Sequence, residues 1–314
     1  MSTRPAVAAD SPARAVQVTD PIISVEDFSI DYAGARTTHA VKHVSLELGR
    51  GEILGLAGES GCGKSTLAYG ITRLLKPPGL ITSGRAVFHP ADGPEIDLSS
   101  LDGEALRRFR WDRVSMVFQG AMNSLNPVIS VQAQLADVFR THRPQMGRKE
   151  RIERCGDLLE RVGVDRSRLR SYPHELSGGM RQRVMIAMAM ALGPQVMIMD
   201  EPTTALDVVV QREILDEITR LRHELGFAVV FITHDLPLLL EISDRIAVMR
   251  SGEVVELRAA RDLYTDPHHD YTKRLLSSFP SLTGERGDFI RTGAGAEDEA
   301  QDLPLETAIE EVEA

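Results

Sequence analysis

Cysteine, long apolar runs and an excess of basic residues are all missing from this chain, and each absence removes a class of protein. Two cysteines, Cys62 and Cys155, cannot build a disulfide framework or a four-cysteine zinc or iron–sulfur site. A reducing compartment is then the simplest setting. A membrane-spanning helix needs about 20 apolar residues, whereas the longest runs, Val184–Leu192 and Phe227–Ile232, are far shorter. Residues 1–19 carry arginines but no apolar stretch of the kind that marks a secretory leader. Any membrane role is expected to come through a partner. Lys and Arg number 36 against 46 Asp and Glu, a net charge of −10. That charge is concentrated, because residues 281–314 hold ten acidic residues and two basic ones, Arg286 and Arg291. The preceding 280 residues lie near −2, so no global positive field argues for nucleic acid. What remains is ordinary: 314 residues, 42% hydrophobic and 26% charged, enough for two lobes or one large α/β domain with additions.

The first 20 residues are rich in Ala, Ser, Pro and charge and are predicted to be disordered. From Pro21 the pattern turns to short β-branched runs. Ile22–Val25, Val44–Leu48, Ala86–His89 and Val114–Phe118 read as strands, and Glu52–Ala57 reads as a strand running straight into a glycine cluster. Thr66–Leu75 is predicted to be a helix. Residues 130–192 have helical spacing, broken by a turn around Arg170–Glu175, and Met180–Leu192 is the last helix of that stretch. Val196–Met199 and Ala228–Thr233 are fully apolar, as expected for central parallel strands covered on both faces, and Leu206–Leu225 between them has helix length. Strand, helix and strand in this order make βαβ units, hence an α/β fold with a helical lobe inserted near 120–190. Ile246–Met249 and Glu253–Glu256 read as a late hairpin, and the acidic tail after about Thr283 as flexible.

Three motifs carry chemistry. Gly58-Glu59-Ser60-Gly61-Cys62-Gly63-Lys64-Ser65-Thr66 fits the phosphate-loop pattern and lies between an apolar strand and a helix. Its glycines let successive backbone N–H groups turn around phosphate oxygens, beside the positive end of a helix dipole. Lys64 would reach the β- and γ-phosphates, and the Ser65 hydroxyl would bind Mg²⁺. Val196-Met197-Ile198-Met199-Asp200-Glu201 delivers two acids at the carboxyl end of a buried strand, where open α/β sheets bind ligands. Asp200 is placed to hold the metal through water, and Glu201, pointing elsewhere, to orient or deprotonate the attacking water. Leu176-Ser177-Gly178-Gly179-Met180-Arg181-Gln182 opens a helix with a good N-cap and two exposed amides. Alone, that third motif favours a capped helix and nothing more.

Together these features resemble the ATP-binding-cassette ATPase family, and Leu176–Gln182 matches its signature motif. The family order holds: phosphate loop, Gln119 after an apolar strand, signature, Asp200-Glu201, Ala205-Leu206-Asp207, then His234. The resemblance covers about residues 22–280. It implies a phosphate-loop NTPase core with a mostly parallel sheet, an N-terminal antiparallel β subdomain and an inserted α-helical subdomain. The implied division is an ATPase domain over 21–265, a C-terminal extension over 266–282 and an acidic flexible tail over 283–314. By resemblance, ATP and Mg²⁺ are the cofactors. Glu201, His234 and Gln119 form the catalytic set, with Gln119 also linking metal to membrane partner and His234 contacting the γ-phosphate. Metal falls to Ser65, Gln119 and Asp200. Nucleotide falls to Gly58, Ser60, Gly61, Cys62, Gly63, Lys64, Ser65 and Thr66, to Tyr32 stacking on adenine, and to Asp207 in the loop joining two cassettes. Ser177, Gly178 and Gly179 would complete the site of the opposite chain, two cassettes sandwiching two ATPs head to tail.

Other readings stand beside some of these residues. His234 after a buried strand is also what a structural histidine looks like, and Phe28 competes with Tyr32 for the stacking role. Cys62 is expected to be an inert small residue. His268-His269, His142 and His174 lack a matching ligand set. Arg107, Arg108, Arg110 and Arg113, and the run Arg140–Arg154, surround Trp111 but are interleaved with Asp112, Glu150 and Glu153, the pattern of a solvated helix face.

Within the family, Ser124-Leu125-Asn126-Pro127, Tyr172-Pro173-His174-Glu175 and Tyr271-Thr272-Lys273-Arg274-Leu275-Leu276 resemble the oligopeptide/dipeptide importer group. Gly120-Ala121 departs from the acidic-proline pair usual there, and the cysteine-rich segment of some members is absent. The resemblance therefore implies an ATPase at the cytoplasmic face of a membrane, with a second cassette, two permease subunits and an extracellular substrate-binding protein, for peptides, oligosaccharides or nickel. A DNA-repair or chromosome-organising ATPase is disfavoured, because Gln119 to Ser177 spans 58 positions without heptads or cysteine modules apart from the lone Cys155. A regulatory cassette with little turnover is the other alternative, though the chain keeps Glu201 and Ser177-Gly178-Gly179.

Overall fold

The computed structural model describes residues 18–204 and 206–278. Most of the predicted N-terminal segment, the acidic tail, Ala205 and the end of the C-terminal extension lie outside them. In chain order the elements are β1 (Pro21–Tyr32), β2 (Thr38–Gly49), β3 (Ile53–Ala57), α1 (Lys64–Ile71), β4 (Gly79–Phe88), β5 (Ile96–Asp97), α2 (Gly103–Asp112) and β6 (Val114–Val117). They continue as α3 (Val131–His142), α4 (Arg148–Arg161), α5 (Gly178–Met190), β7 (Val196–Asp200), α6 (Val208–Leu225), β8 (Ala228–Ile232), α7 (Leu236–Ile242), β9 (Arg245–Arg250), β10 (Glu253–Ala259), α8 (Ala260–Thr265) and α9 (Asp270–Ser277). Short 3₁₀ turns punctuate the helical lobe, two of them at Arg166–Arg170 and Pro173–Glu175.

Two sheets form. One is antiparallel with order β2-β1-β4-β5. The other has order β10-β9-β3-β8-β7-β6, parallel from β9 to β6 and antiparallel at its β10 edge. Every residue of β3, β7 and β8 is buried, the consequence of covering a parallel sheet on both faces. Period-two alternation sorts their side chains into separate cores. Ile53, Met197, Met199, Val229 and Phe231 face the helical lobe, α6 and α7, whereas Leu54, Leu56, Ile198, Val230 and Ile232 face α1 and the antiparallel sheet. Cys155 lies in the first core and Cys62 in the second, both as free thiols, and burial pushes Cys155 up to about 11.

The predicted helix at Thr66–Leu75 is shifted. It begins at Lys64, inside the glycine motif, and ends at Ile71. Its end is local chemistry: the Thr72 hydroxyl donates back to the Ala68 carbonyl (2.8 Å), Arg73 turns to φ 58°, and Pro77-Pro78 bars any continuation. The basic runs are matched within their own surfaces. Arg107 and Arg108 pair with Glu104, Arg140 with Asp137 and Arg143 with Asp112, while Trp111 stacks on His142 at 5.9 Å.

Candidate functional site

β3 ends at Ala57 and α1 starts at Lys64, so the intervening glycine motif sits at the carboxyl edge of the parallel sheet. Gly63 caps α1 at φ 110°, and a Cβ there would overlap the Ala40 carbonyl oxygen, so only glycine lets the loop turn into the helix. Lys64 is 6% exposed, and its ammonium donates to the carbonyls of Gly58 (2.6 Å) and Glu59 (2.9 Å). Cys62 is buried, with Sγ 3.6 Å from that ammonium, and packs as a small core residue. Gly61 and Ser60 are exposed at the loop's outer side. The arrangement can grip a phosphate chain, with a helix N-terminus beside a lysine already drawn into the loop.

Asp200, at the end of β7, is fully buried. Its Oδ1 accepts from Ser65 Oγ (2.9 Å) and its Oδ2 from Tyr69 Oη (3.1 Å). Burial raises the Asp200 carboxyl above its ordinary range, and the two hydroxyl bonds act in the opposite direction. Tyr69 is pushed up to about 12 by burial and by the neighbouring carboxylate, so it remains a donor. Ser65 Oγ and Asp200 Oδ1 are hard oxygen donors side by side, a set that fits Mg²⁺ rather than a softer metal.

One residue further, Glu201 adopts φ 45°, which swings its side chain away from the Asp200 direction. Its carboxylate gathers three partners: Gln119 Nε2 (2.9 Å) and Thr204 Oγ1 (3.0 Å) on Oε2, and His234 Nδ1 (3.3 Å) on Oε1. Gln119 follows β6 and His234 follows β8, the strands flanking β7, so three sheet ends converge on one carboxylate. His234 is exposed, and among the described residues its ring nitrogen is held by Glu201 and not by a core pocket.

The family profile described as ABC transporter matches residues 41–204. A Brucella abortus (strain 2308) protein described as a peptide import ATP-binding protein is 42% identical over 277 residues, covering 87% of this chain and 81% of that one. The glutathione import ATP-binding protein GsiA of Salmonella choleraesuis (strain SC-B67) is 41% identical over 270 residues, covering 85% of this chain and 43% of that longer protein. The fold is similar to a dimeric, post-hydrolysis state of the ATP-binding cassette MJ0796 bound to ADP and Pi, with TM-score 0.66, 29% identity, and coverage of 76% of this chain and 99% of that one. The chain belongs to the ABC transporter family.

The remaining family positions of this ABC cassette are arranged as follows. Ser177 is exposed and caps α5 by accepting from the Met180 amide (3.2 Å). Gly179 packs under α6, where an added Cβ would lie 2.5 Å from Val210 Cγ1, and Gly178 lies against Leu206. Asp207 caps α6 through the Val210 amide (3.0 Å), which starts that helix at Val208 instead of Leu206. The Ser177–Gly179 turn and the start of α6 are thus packed as one unit. Tyr32 is half-buried, with its hydroxyl 3.5 Å from Thr66 Oγ1, so it borders the phosphate loop. Phe28 is 1% exposed in the core and is removed as a stacking candidate.

Reading by motif missed three residues. Tyr69 stands four positions after Ser65, so one helix face brings both hydroxyls to Asp200, a spacing visible in the sequence. Thr204 follows Glu201 by three residues in a turn. Tyr271 of α9 reaches the phosphate loop, its hydroxyl accepting from the Glu59 amide (3.1 Å), and no local pattern announces a contact across 212 positions.

Proposed function

We propose that this chain is the ATP-hydrolysing subunit of a membrane importer, with peptides as the cargo class. The single observation that carries the reading is the convergence of Lys64, Ser65, Asp200 and Glu201, with Gln119 and His234, on one edge of the parallel sheet. The peptide assignment follows the relatives' names and the Tyr271–Leu276 segment, which fits the same importer group.

In this reading Lys64 leaves the Gly58 and Glu59 carbonyls for the β- and γ-phosphates, and the loop amides wrap the same oxygens. Ser65 and Asp200 would hold Mg²⁺, which would supply neutralisation of phosphate charge when bound. Glu201 orients the attacking water and accepts its proton, while Gln119 and His234 turn from Glu201 toward metal and γ-phosphate. Tyr32 lies beside the base. Ser177, Gly178 and Gly179 close the site of a second cassette, and contacts made only with the γ-phosphate favour the paired state. Loss of those contacts reopens the pair and moves two coupled permeases at the cytoplasmic face of the membrane, with a substrate-binding protein delivering cargo outside. No described helix is long and apolar enough to cross a membrane. Between Gln119 and Ser177 lie two ordinary helices, α3 and α4, of 12 and 14 residues, which leave no room for a DNA-clasping coiled coil.

Purified chain is expected to release phosphate from MgATP, and affinity isolation from native membranes is expected to recover permeases. Absence of ATP binding by the folded chain would overturn the reading.

A further inference from the structure

The C-terminal extension makes a contact that the proposed cycle does not use. Tyr271 is 4% exposed, and its hydroxyl accepts from the backbone N–H of Glu59, the second residue of the phosphate loop. That N–H shares its peptide plane with the Gly58 carbonyl, which accepts from the Lys64 ammonium at 2.6 Å. One peptide plane is therefore pinned from both ends, by Lys64 on its oxygen and by Tyr271 on its nitrogen. The pin has its own foundation. Buried Glu256 of β10 accepts the amides of His268 (2.8 Å) and His269 (3.0 Å), and His269 Nδ1 accepts the Tyr271 amide (3.0 Å), which fixes the start of α9. The Arg250 guanidinium lies 5.1 Å from the Tyr271 ring centroid. The same hairpin touches the loop again, Gly252 N–H donating to the Cys62 carbonyl at 3.0 Å.

We propose that Tyr271 is a positioning residue for nucleotide binding: through the Glu59 amide, the C-terminal extension sets the phosphate loop's first turn. The proposal rests on the reading that this loop takes ATP. When Lys64 turns to phosphate it releases the Gly58 carbonyl, and Tyr271 becomes the side chain that still holds that peptide plane. Without the hydroxyl the plane is free to rotate, and ordering it is added to the cost of binding. The coupling runs both ways, so ATP also tightens α9.

The test compares full-length wild type, Tyr271→Phe and Thr272→Val. Phenylalanine keeps the ring and its Arg250 contact and removes only the acceptor. Thr272 is fully buried with a hydroxyl that has no partner, so valine alters α9 without touching Glu59. Amide exchange of Glu59 is measured without nucleotide, and MgATP affinity by calorimetry. Tyr271→Phe is expected to speed Glu59 exchange and to weaken ATP binding about five- to tenfold, the worth of one net hydrogen bond. The loss is expected in KM rather than kcat, with a melting temperature lowered by roughly 2–4 °C for the one lost hydrogen bond. Thr272→Val is expected to match wild type in both readouts. A Tyr271→Phe protein with wild-type Glu59 exchange, or with wild-type ATP affinity, overturns the proposal. If the folded wild type binds no ATP, the functional reading itself falls, which is a different result.

Discussion

Removal of the Tyr69 hydroxyl probes the electrostatics of the site directly. Asp200 is fully buried and keeps its two oxygens satisfied by two hydroxyls, so Tyr69→Phe leaves Oδ2 without its donor while preserving the ring packed near Phe118. A hydrogen bond to a charged group contributes about 1.5–3 kcal/mol; because Tyr69 is half-buried, about 1.5 kcal/mol is the appropriate figure. For a chain of this size that is a fall of roughly 3–6 °C in melting temperature. The effect carries a pH signature. Burial raises the folded Asp200 pKa, so its contribution to stability is present below the ordinary carboxyl value and is lost as pH rises through the raised one. Loss of the Tyr69 donor raises it further. The difference between wild type and Tyr69→Phe should therefore widen with rising pH, and Tyr69, titrating at about 12, stays protonated throughout. Thermal unfolding in EDTA from about pH 5 to about pH 8 reads this. A variant as stable as wild type, or a difference that narrows as pH rises, refutes the account of a buried carboxylate whose charged form two donors favour.

Other variants address the remaining groups. Glu201→Gln should keep ATP binding and lower phosphate release by about 10²–10⁴-fold, measured with a coupled phosphate assay. Lys64→Ala should abolish detectable binding of a fluorescent ATP analogue, because no other described cation lies inside the loop. Gly179→Ala forces a Cβ to within 2.5 Å of Val210 Cγ1 and should destabilise the chain by about 1–3 kcal/mol in urea unfolding, with Val210→Ala restoring most of the loss.

The elements that the sequence exposes are those whose periodicity is strong or whose glycines are required. Val196–Met199 and Ala228–Ile232 are apolar at every position because both faces of β7 and β8 are covered, and such runs announce central parallel strands. The phosphate loop is legible because strand, glycines and helix occur in one continuous stretch. Boundaries set by single hydrogen bonds are less legible: α1 stops at Ile71 through a threonine back-bond, and α6 starts at Val208 because Asp207 caps it. Contacts between elements far apart in the chain leave no local trace at all. Glu201 meets Gln119 across 82 positions and Tyr271 meets Glu59 across 212, distances over which residue spacing carries no geometry.

The Glu201–Gln119 contact is also one that the proposed cycle changes. Lys64, Asp200 and Glu201 each have partners from the protein in this structure, so binding nucleotide exchanges partners and does not pair free charges. In such an exchange Lys64 would give up its carbonyls, Ser65 would leave Asp200 for the cation, and Gln119 and His234 would leave Glu201. A buried charge or carbonyl left unpaired during the swap costs about 1–3 kcal/mol, more for the charge. Each group therefore needs one partner that does not leave. Tyr69 remains on Asp200, Thr204 remains on Glu201, and Tyr271 remains on the Gly58–Glu59 peptide. The motif residues supply the moving contacts, while the unmarked hydroxyls keep the same groups in place between states. The expected consequence is a division of phenotype: substitutions at the motifs abolish binding or turnover, whereas loss of a retaining hydroxyl shifts affinity or stability by one hydrogen bond and leaves the chemistry intact.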